Sequence, residues 1–155
     1  MKYLLIVFIA ILCSCKVGVK DPSYSHPQKN EIKNALIQMI AKPTIKSVIV
    51  LEPKKNRYVY IYNMDDKVSI SLFKKTLDLN ETKKANRHFM ARDIELKKIR
   101  LLDMETGSES LDYAWVESYS VKHIDNVVQF ILGIFYDIYG ISNTVQIQIK
   151  KTGTL

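Results

Sequence analysis

The sequence predicts a single small α+β domain, a mostly antiparallel sheet with helices packed on one face. Three observations carry that expectation. Several short runs alternate apolar and polar residues, the period of a half-buried strand. Two longer stretches repeat apolar residues at helical spacing, and these two kinds of element are interleaved. The composition is that of an ordinary globular chain, with 155 residues, 47% hydrophobic and 25% charged, enough to bury a core in one domain.

The elements follow in order. Pro27 can open a helix, since its missing N–H costs nothing in a first turn, and Ile32, Ala35, Leu36, Met39 and Ile40 recur on one face. Lys42-Pro43 ends it. Residues 47–51, SVIVL, are β-branched and strand-like, and EPKKN supplies a turn. RYVYIYN then alternates strictly, with Tyr58, Tyr60 and Tyr62 on one face and Val59 and Ile61 on the other. After a turn at Asp65-Asp66, KVSISLF sets Val68, Ile70 and Leu72 against Ser69 and Ser71. These three runs read as an antiparallel meander.

Asn80–Met90 is expected as a polar helix capped at Asn80. Ile94–Met104 and Leu111–Val121 read as two strands around the turn ETGSES, with Trp115 alternating with Tyr113 in a packing role. The strongest helical stripe runs through Ile124, Val127, Val128, Ile131, Leu132, Phe135, Ile138 and Tyr139. Only Asn126, Gln129, Gly133 and Asp137 make a narrow polar strip on it, so it is expected to be largely buried or to serve as a contact surface. Gly140 stands where a C-terminal cap belongs. TVQIQIK alternates as a last strand.

The first fifteen residues differ from all of this. Lys2 precedes the apolar run Leu4–Leu12, followed by Cys13, Ser14 and Cys15. A membrane-spanning helix needs roughly 20 apolar residues, and this run is too short. A basic start, a short apolar stretch and a small residue in that order are the parts of a signal peptide. Leu12-Cys13-Ser14-Cys15 resembles the lipobox of bacterial prolipoproteins. The resemblance implies that Leu12 fills the aliphatic position and Ser14 the small one, and that Cys15 is acylated and becomes the first residue after cleavage. Cys13 departs from the usual Ala, Ser or Thr. The domains implied are a signal peptide over 1–14, a lipidated Cys15 with a flexible tether to residue 28, and a globular domain over 29–155. Val17–Gln28, with two prolines, a glycine and two serines, has linker composition. The resemblance places the protein in the bacterial cell envelope, facing the periplasm or the cell exterior, with membrane lipid as one partner through acylated Cys15. The processed chain would then keep no thiol for catalysis or metal ligation.

The net charge is +7 and uneven. From Cys15 to Arg100 there are 19 Lys/Arg against 9 Asp/Glu, and from Leu101 to Leu155 there are 3 against 7. Such a bias suits either an anionic partner surface or simple solvation.

Catalytic chemistry is hard to find. His26, His88 and His123 lie in three regions without a second His or a Cys at metal spacing, and Asp65-Asp66 lacks the oxygens and glycine of a calcium loop. No metal and no cofactor is therefore expected. His123 with Asp125 could be two members of a catalytic triad, but no G-x-S-x-G accompanies them. Glu95, Asp103, Glu105, Asp112 and Glu117 could supply paired carboxylates, though strand carboxylates are more often solvated. Neither GxxxxGK nor GxGxxG occurs. RYVYIYN with Lys54, Lys55 and Arg57 imitates a nucleic-acid surface, which export to the envelope argues against. The expectation is a non-enzymatic binding module with an envelope protein partner and Tyr58, Tyr60 and Tyr62 as its candidate binding face. The alternatives are a small membrane-tethered hydrolase and a periplasmic immunity or inhibitor protein.

Overall fold

The structure, a computed structural model, describes residues 23–41, 48–64, 66–102 and 109–152. Helix α1 spans Lys29–Ile40. A three-strand meander follows: β1 (Val48–Lys54), β2 (Arg57–Met64) and β3 (Lys67–Phe73). Helix α2 covers Leu79–Met90. Strands β4 (Leu96–Leu102) and β5 (Glu109–Ser120) come next, then helix α3 (Ile124–Gly133), and last β6 (Gln148–Thr152). The six strands form one sheet in the order β4-β5-β3-β2-β1-β6, and every neighbouring pair is antiparallel. The fold is α+β, as the alternating and helical periods predict.

Register explains why one face is dry. Ile49 pairs with Ile61, Leu51 with Val59, Ile61 with Ile70 and Leu72 with Trp115. Side chains alternate across a strand, so these residues share one face. They join Ile32, Leu36 and Met39 of α1, Ala85 and Phe89 of α2, and Val127, Val128, Ile131 and Leu132 of α3 in a single buried core. Fully burying one such aliphatic or aromatic side chain contributes about 1.5–3 kcal/mol. Trp115 lies in this core, stacked on Phe89 with ring centroids 5.1 Å apart. The opposite face carries Val50, Tyr58, Tyr60, Tyr62, Ser69, Ser71 and Phe73, and no described helix packs on it.

Local chemistry sets the ends. The β1–β2 turn holds Asn56 at φ 62°, a left-handed conformation that Asn tolerates, and its N–H donates to the Glu52 carboxylate at 3.0 Å. Asp78, not Asn80, caps α2. Its carboxylate accepts from the Glu81 N–H at 2.8 Å, and Glu81 accepts from the Asp78 N–H at 3.0 Å. The sequence D-x-x-E encodes this reciprocal box, and an Asp at the cap outcompetes an Asn already inside the first turn.

The long apolar helix is not uniform. A 3₁₀ turn at Val121–His123 leads into α3, and Ile134–Ile138 continues as a π-helical turn in which the Tyr139 N–H reaches the Ile134 carbonyl at 3.2 Å. Gly140, at φ 63°, closes it as expected. Helix α1 begins at Lys29, two residues after Pro27. The last strand starts at Gln148 instead of Thr144, because the backbone of Val145 and Ile147 bonds to the N-terminal segment and not to the ladder. The edge strands carry Lys97, Lys98 and Arg100 on β4 and Lys150 and Lys151 on β6.

Candidate functional site

Two regions gather polar or aromatic groups beyond what the core needs: the helix-free face of the sheet and the outer strip of α3.

On the sheet face, Tyr58, Tyr60 and Tyr62 stand in a row, each half-buried. Their cross-strand neighbours are small or slender. Tyr60 lies between Val50 and Ser71, and Tyr62 between Val48 and Ser69. The rings therefore lean over their neighbours, which is why Ser69, Ser71 and Phe73 are buried on a face without a covering helix. Tyr60 meets Phe73 edge-on at 5.1 Å and Tyr58 at 6.2 Å, geometries that aromatic quadrupoles favour. Lys150 and Lys75 lie over Tyr58 and Phe73, each with its ammonium 5.7 Å from the ring centre. Both lysines are already neutralised, Lys150 by Glu52 and Lys75 by Asp112 at 2.9 Å. The contact with Lys150, followed by the Asn56 N–H, holds the Glu52 carboxyl below its ordinary value. Burial pushes the Tyr60 and Tyr62 phenols up. The result is a sheet surface of half-buried aromatic rings with hydroxyl tips, flanked by two lysines that are each paired with a carboxylate.

Beneath it, Tyr139 donates its hydroxyl to the Tyr58 carbonyl at 3.0 Å and ties the π turn to the tyrosine strand. Burial raises its pKa far above the ordinary phenol value. A group that folding keeps protonated stabilises fully below its unfolded pKa, near 10 for Tyr, and loses that contribution as pH rises above it. Tyr60, Tyr62 and Tyr136 shift in the same direction. The urea midpoint is therefore expected to fall steeply above about pH 10. Tyr139→Phe should flatten that fall while costing about 1 kcal/mol at neutral pH for the lost hydrogen bond. An unchanged alkaline slope in the variant would remove Tyr139 from this account.

The second region was not visible in the sequence. The polar strip of the long helix holds the chain that precedes α1. Gln129 accepts from the Tyr24 N–H at 2.8 Å and donates to the Tyr24 carbonyl at 3.2 Å. Tyr24 donates its hydroxyl to the Asp137 carboxylate at 2.6 Å, and the His88 Nδ1 lies 3.0 Å from the same oxygen. The Tyr24 ring stacks on Tyr136 at 5.6 Å, and Tyr136 donates to the Ser25 carbonyl at 2.8 Å. His26 is buried against the Val145 carbonyl, and Gln28 exchanges bonds with the Ile147 backbone. Of the tether expected over residues 15–28, the described part, Ser23–Gln28, is thus bonded to the domain.

Gly133 makes this seat possible. A Cβ there would lie 3.2 Å from both the His88 and the Tyr24 rings. In an exposed helix Gly→Ala stabilises by about 1 kcal/mol. Here Gly133→Ala is expected to destabilise by about 1–2 kcal/mol through overpacking and to speed amide exchange at Tyr24. Unaltered exchange at Tyr24 would show that the two rings can yield.

The other sequence candidates are dispersed. His123 is exposed at the start of α3, and Asp125 pairs with Lys33 at 2.7 Å. Asp112 and Glu117 point to opposite faces of β5 by alternation, so they cannot act as a carboxylate pair. Burial raises the Glu117 carboxyl. Glu95 is exposed. A shallow groove between α1 and β6, lined by Glu31, Asn34, Gln38, Ile149 and Lys151, gathers no nucleophile beside a base. Leu12, Cys13, Ser14 and Cys15 lie outside the described residues, as do Asp65, Asp103 and Glu105. No described helix is long and apolar enough to cross a membrane. Comparison with known protein families, with curated proteins and with solved structures finds no match.

Proposed function

We propose that the protein is a lipid-anchored component of the bacterial cell envelope whose domain is a non-enzymatic module that binds an envelope protein through the tyrosine face. The anchor is supported by the lipobox resemblance at Leu12–Cys15. The binding role rests on one observation: Tyr58, Tyr60 and Tyr62 line up on the sheet face that no described helix covers. Tyr combines an apolar body with a polar tip and is enriched at interfaces for that reason.

Two measurements test the two halves. Palmitate labelling should mark the wild type and not Cys15→Ala. A photoreactive p-benzoylphenylalanine at Tyr60 should give a discrete protein adduct in intact cells, and the same probe at exposed Ile37 on α1 should not. Equal adducts from both positions would remove the tyrosine face from the reading, and label retained in Cys15→Ala would remove the anchor.

A further inference from the structure

We infer that the outer face of α2 is the surface this domain turns toward an anionic lipid bilayer. The inference rests on the anchored reading above and adds an orientation to it.

The first observation is the helix itself. Its inward positions are Glu81, Ala85, His88 and Phe89. The outward stripe is Leu79, Lys83, Asn86, Arg87 and Met90, spaced at three and four residues. The two ends are apolar and strongly exposed, Leu79 at 74% and Met90 at 73%. The middle is basic and contains no carboxylate, because the acids of this region are used elsewhere: Glu81 and Asp78 both face Arg57, at 2.6 and 3.4 Å. Lys84 and Arg92 flank the stripe, and Asp93 and Glu95 come only after the helix ends. Basic residues between exposed apolar ones suit anionic headgroups, with the ammonium and guanidinium groups at phosphate level and Leu79 and Met90 at the acyl boundary.

The second observation is where the chain leaves. Tyr24 is fixed beside the last turn of α2, since His88 and Tyr24 share the Asp137 carboxylate and both abut Gly133. Seven residues, 16–22, separate Cys15 from Ser23. The eight chain steps from Cys15 to Ser23 span at most roughly 29 Å, so an acylated Cys15 keeps this side of the domain close to the bilayer. The same placement leaves the tyrosine face on the other side of the sheet from the helices, free for a protein partner.

The test uses p-benzoylphenylalanine at Asn86, on the stripe, or at Ser118, exposed on the helix-free face of β5. The acylated chain is placed in vesicles of phosphatidylglycerol mixed with phosphatidylcholine, or of phosphatidylcholine alone, and irradiated. The expected result is several-fold more lipid adduct from position 86 than from 118 in the anionic vesicles. Lys83→Glu with Arg87→Glu should bring the two yields together, given roughly a fivefold change in partition for each basic residue near such a surface. Salt of about 1 M, where the screening length is roughly 3 Å, should do the same. Circular dichroism of the reversal variant checks that it is folded. Equal yields from the two positions, or yields indifferent to phosphatidylglycerol and to charge reversal, overturn the inference, as does an adduct from position 86 to protein instead of lipid in whole envelopes. Palmitate labelling reports separately on the anchor. The same yield ratio is measured with the unacylated Cys15→Ser chain added to the vesicles. Failed acylation with an intact ratio therefore sinks the anchor alone, and successful acylation with a ratio of one sinks the orientation alone.

Discussion

Phe89→Ala is expected to lower stability by about 3–5 kcal/mol, a large share of the roughly 5–15 kcal/mol that holds a domain together. Phe89 is 1% exposed and stacks on Trp115 at 5.1 Å with an interplanar angle of 8°. Its edge meets Phe130 at 6.0 Å and His88 at 5.3 Å. Truncation removes the apolar contact between α2, β5 and α3 at once. The packed rings around it cannot collapse into the space, so the loss includes a cavity as well as the transferred methylenes. Trp115 is the chain's one tryptophan and is buried, so its fluorescence follows unfolding directly. The urea midpoint should fall with an unchanged slope. A shift under about 1 kcal/mol would mean that α2 is not packed as described.

Arg57→Ala should cost about 2–3 kcal/mol, or roughly 5–10 °C in melting temperature for a domain of this size. The guanidinium Nε lies 2.6 Å from the Glu81 carboxylate, which is 5% exposed, and a second nitrogen lies 3.4 Å from Asp78. Removing Arg57 strands a buried carboxylate, and that penalty exceeds the net worth of the pair. The Arg57 side chain keeps 21% exposure, so solvent returns part of the loss and the upper end of the buried-pair range does not apply. Glu81→Gln in the Arg57→Ala background should recover some stability. A double variant no more stable than the single one would show that β2 and α2 are joined by something other than this charge pair.

The sequence was most informative where one period decides one face. Val59 and Ile61 against Tyr58, Tyr60 and Tyr62, and Val68, Ile70 and Leu72 against Ser69 and Ser71, were legible because alternation needs no knowledge of neighbours. The meander was legible because its turns are short. Alternation does not say which strand a strand will pair with, so nothing local revealed that β6 lies beside β1. Nor did it reveal that Val145 and Ile147 give their backbone groups to His26 and Gln28. Ser23–Gln28 has the composition of a linker, and composition is blind to a seat made by residues more than a hundred positions away. The clue was present in the long helix: a polar strip of Asn126, Gln129, Gly133 and Asp137 on an otherwise apolar cylinder. The helix was expected to be largely buried or to serve as a contact surface, without a partner for that strip, and Gln129, Gly133 and Asp137 are the residues that receive Tyr24. His88 was likewise an isolated histidine until α2 placed it at an inward position.

The seat of the N-terminal segment also has a kinetic consequence. Tyr24 is received by residues 129–137, Gln28 by Ile147, and β1 by β6 through pairs such as Val48 with Thr152. The first described residues are therefore completed by the last described ones. Contacts that close loops of a hundred residues form slowly and late. A chain synthesised N-terminus first can assemble the β1–β2–β3 meander early, but the bonds of Tyr24 and Gln28 to residues 129–147 wait until those residues have followed. Closure of the fold therefore waits for the last strand, when the segment around Tyr24 meets residues 129–152.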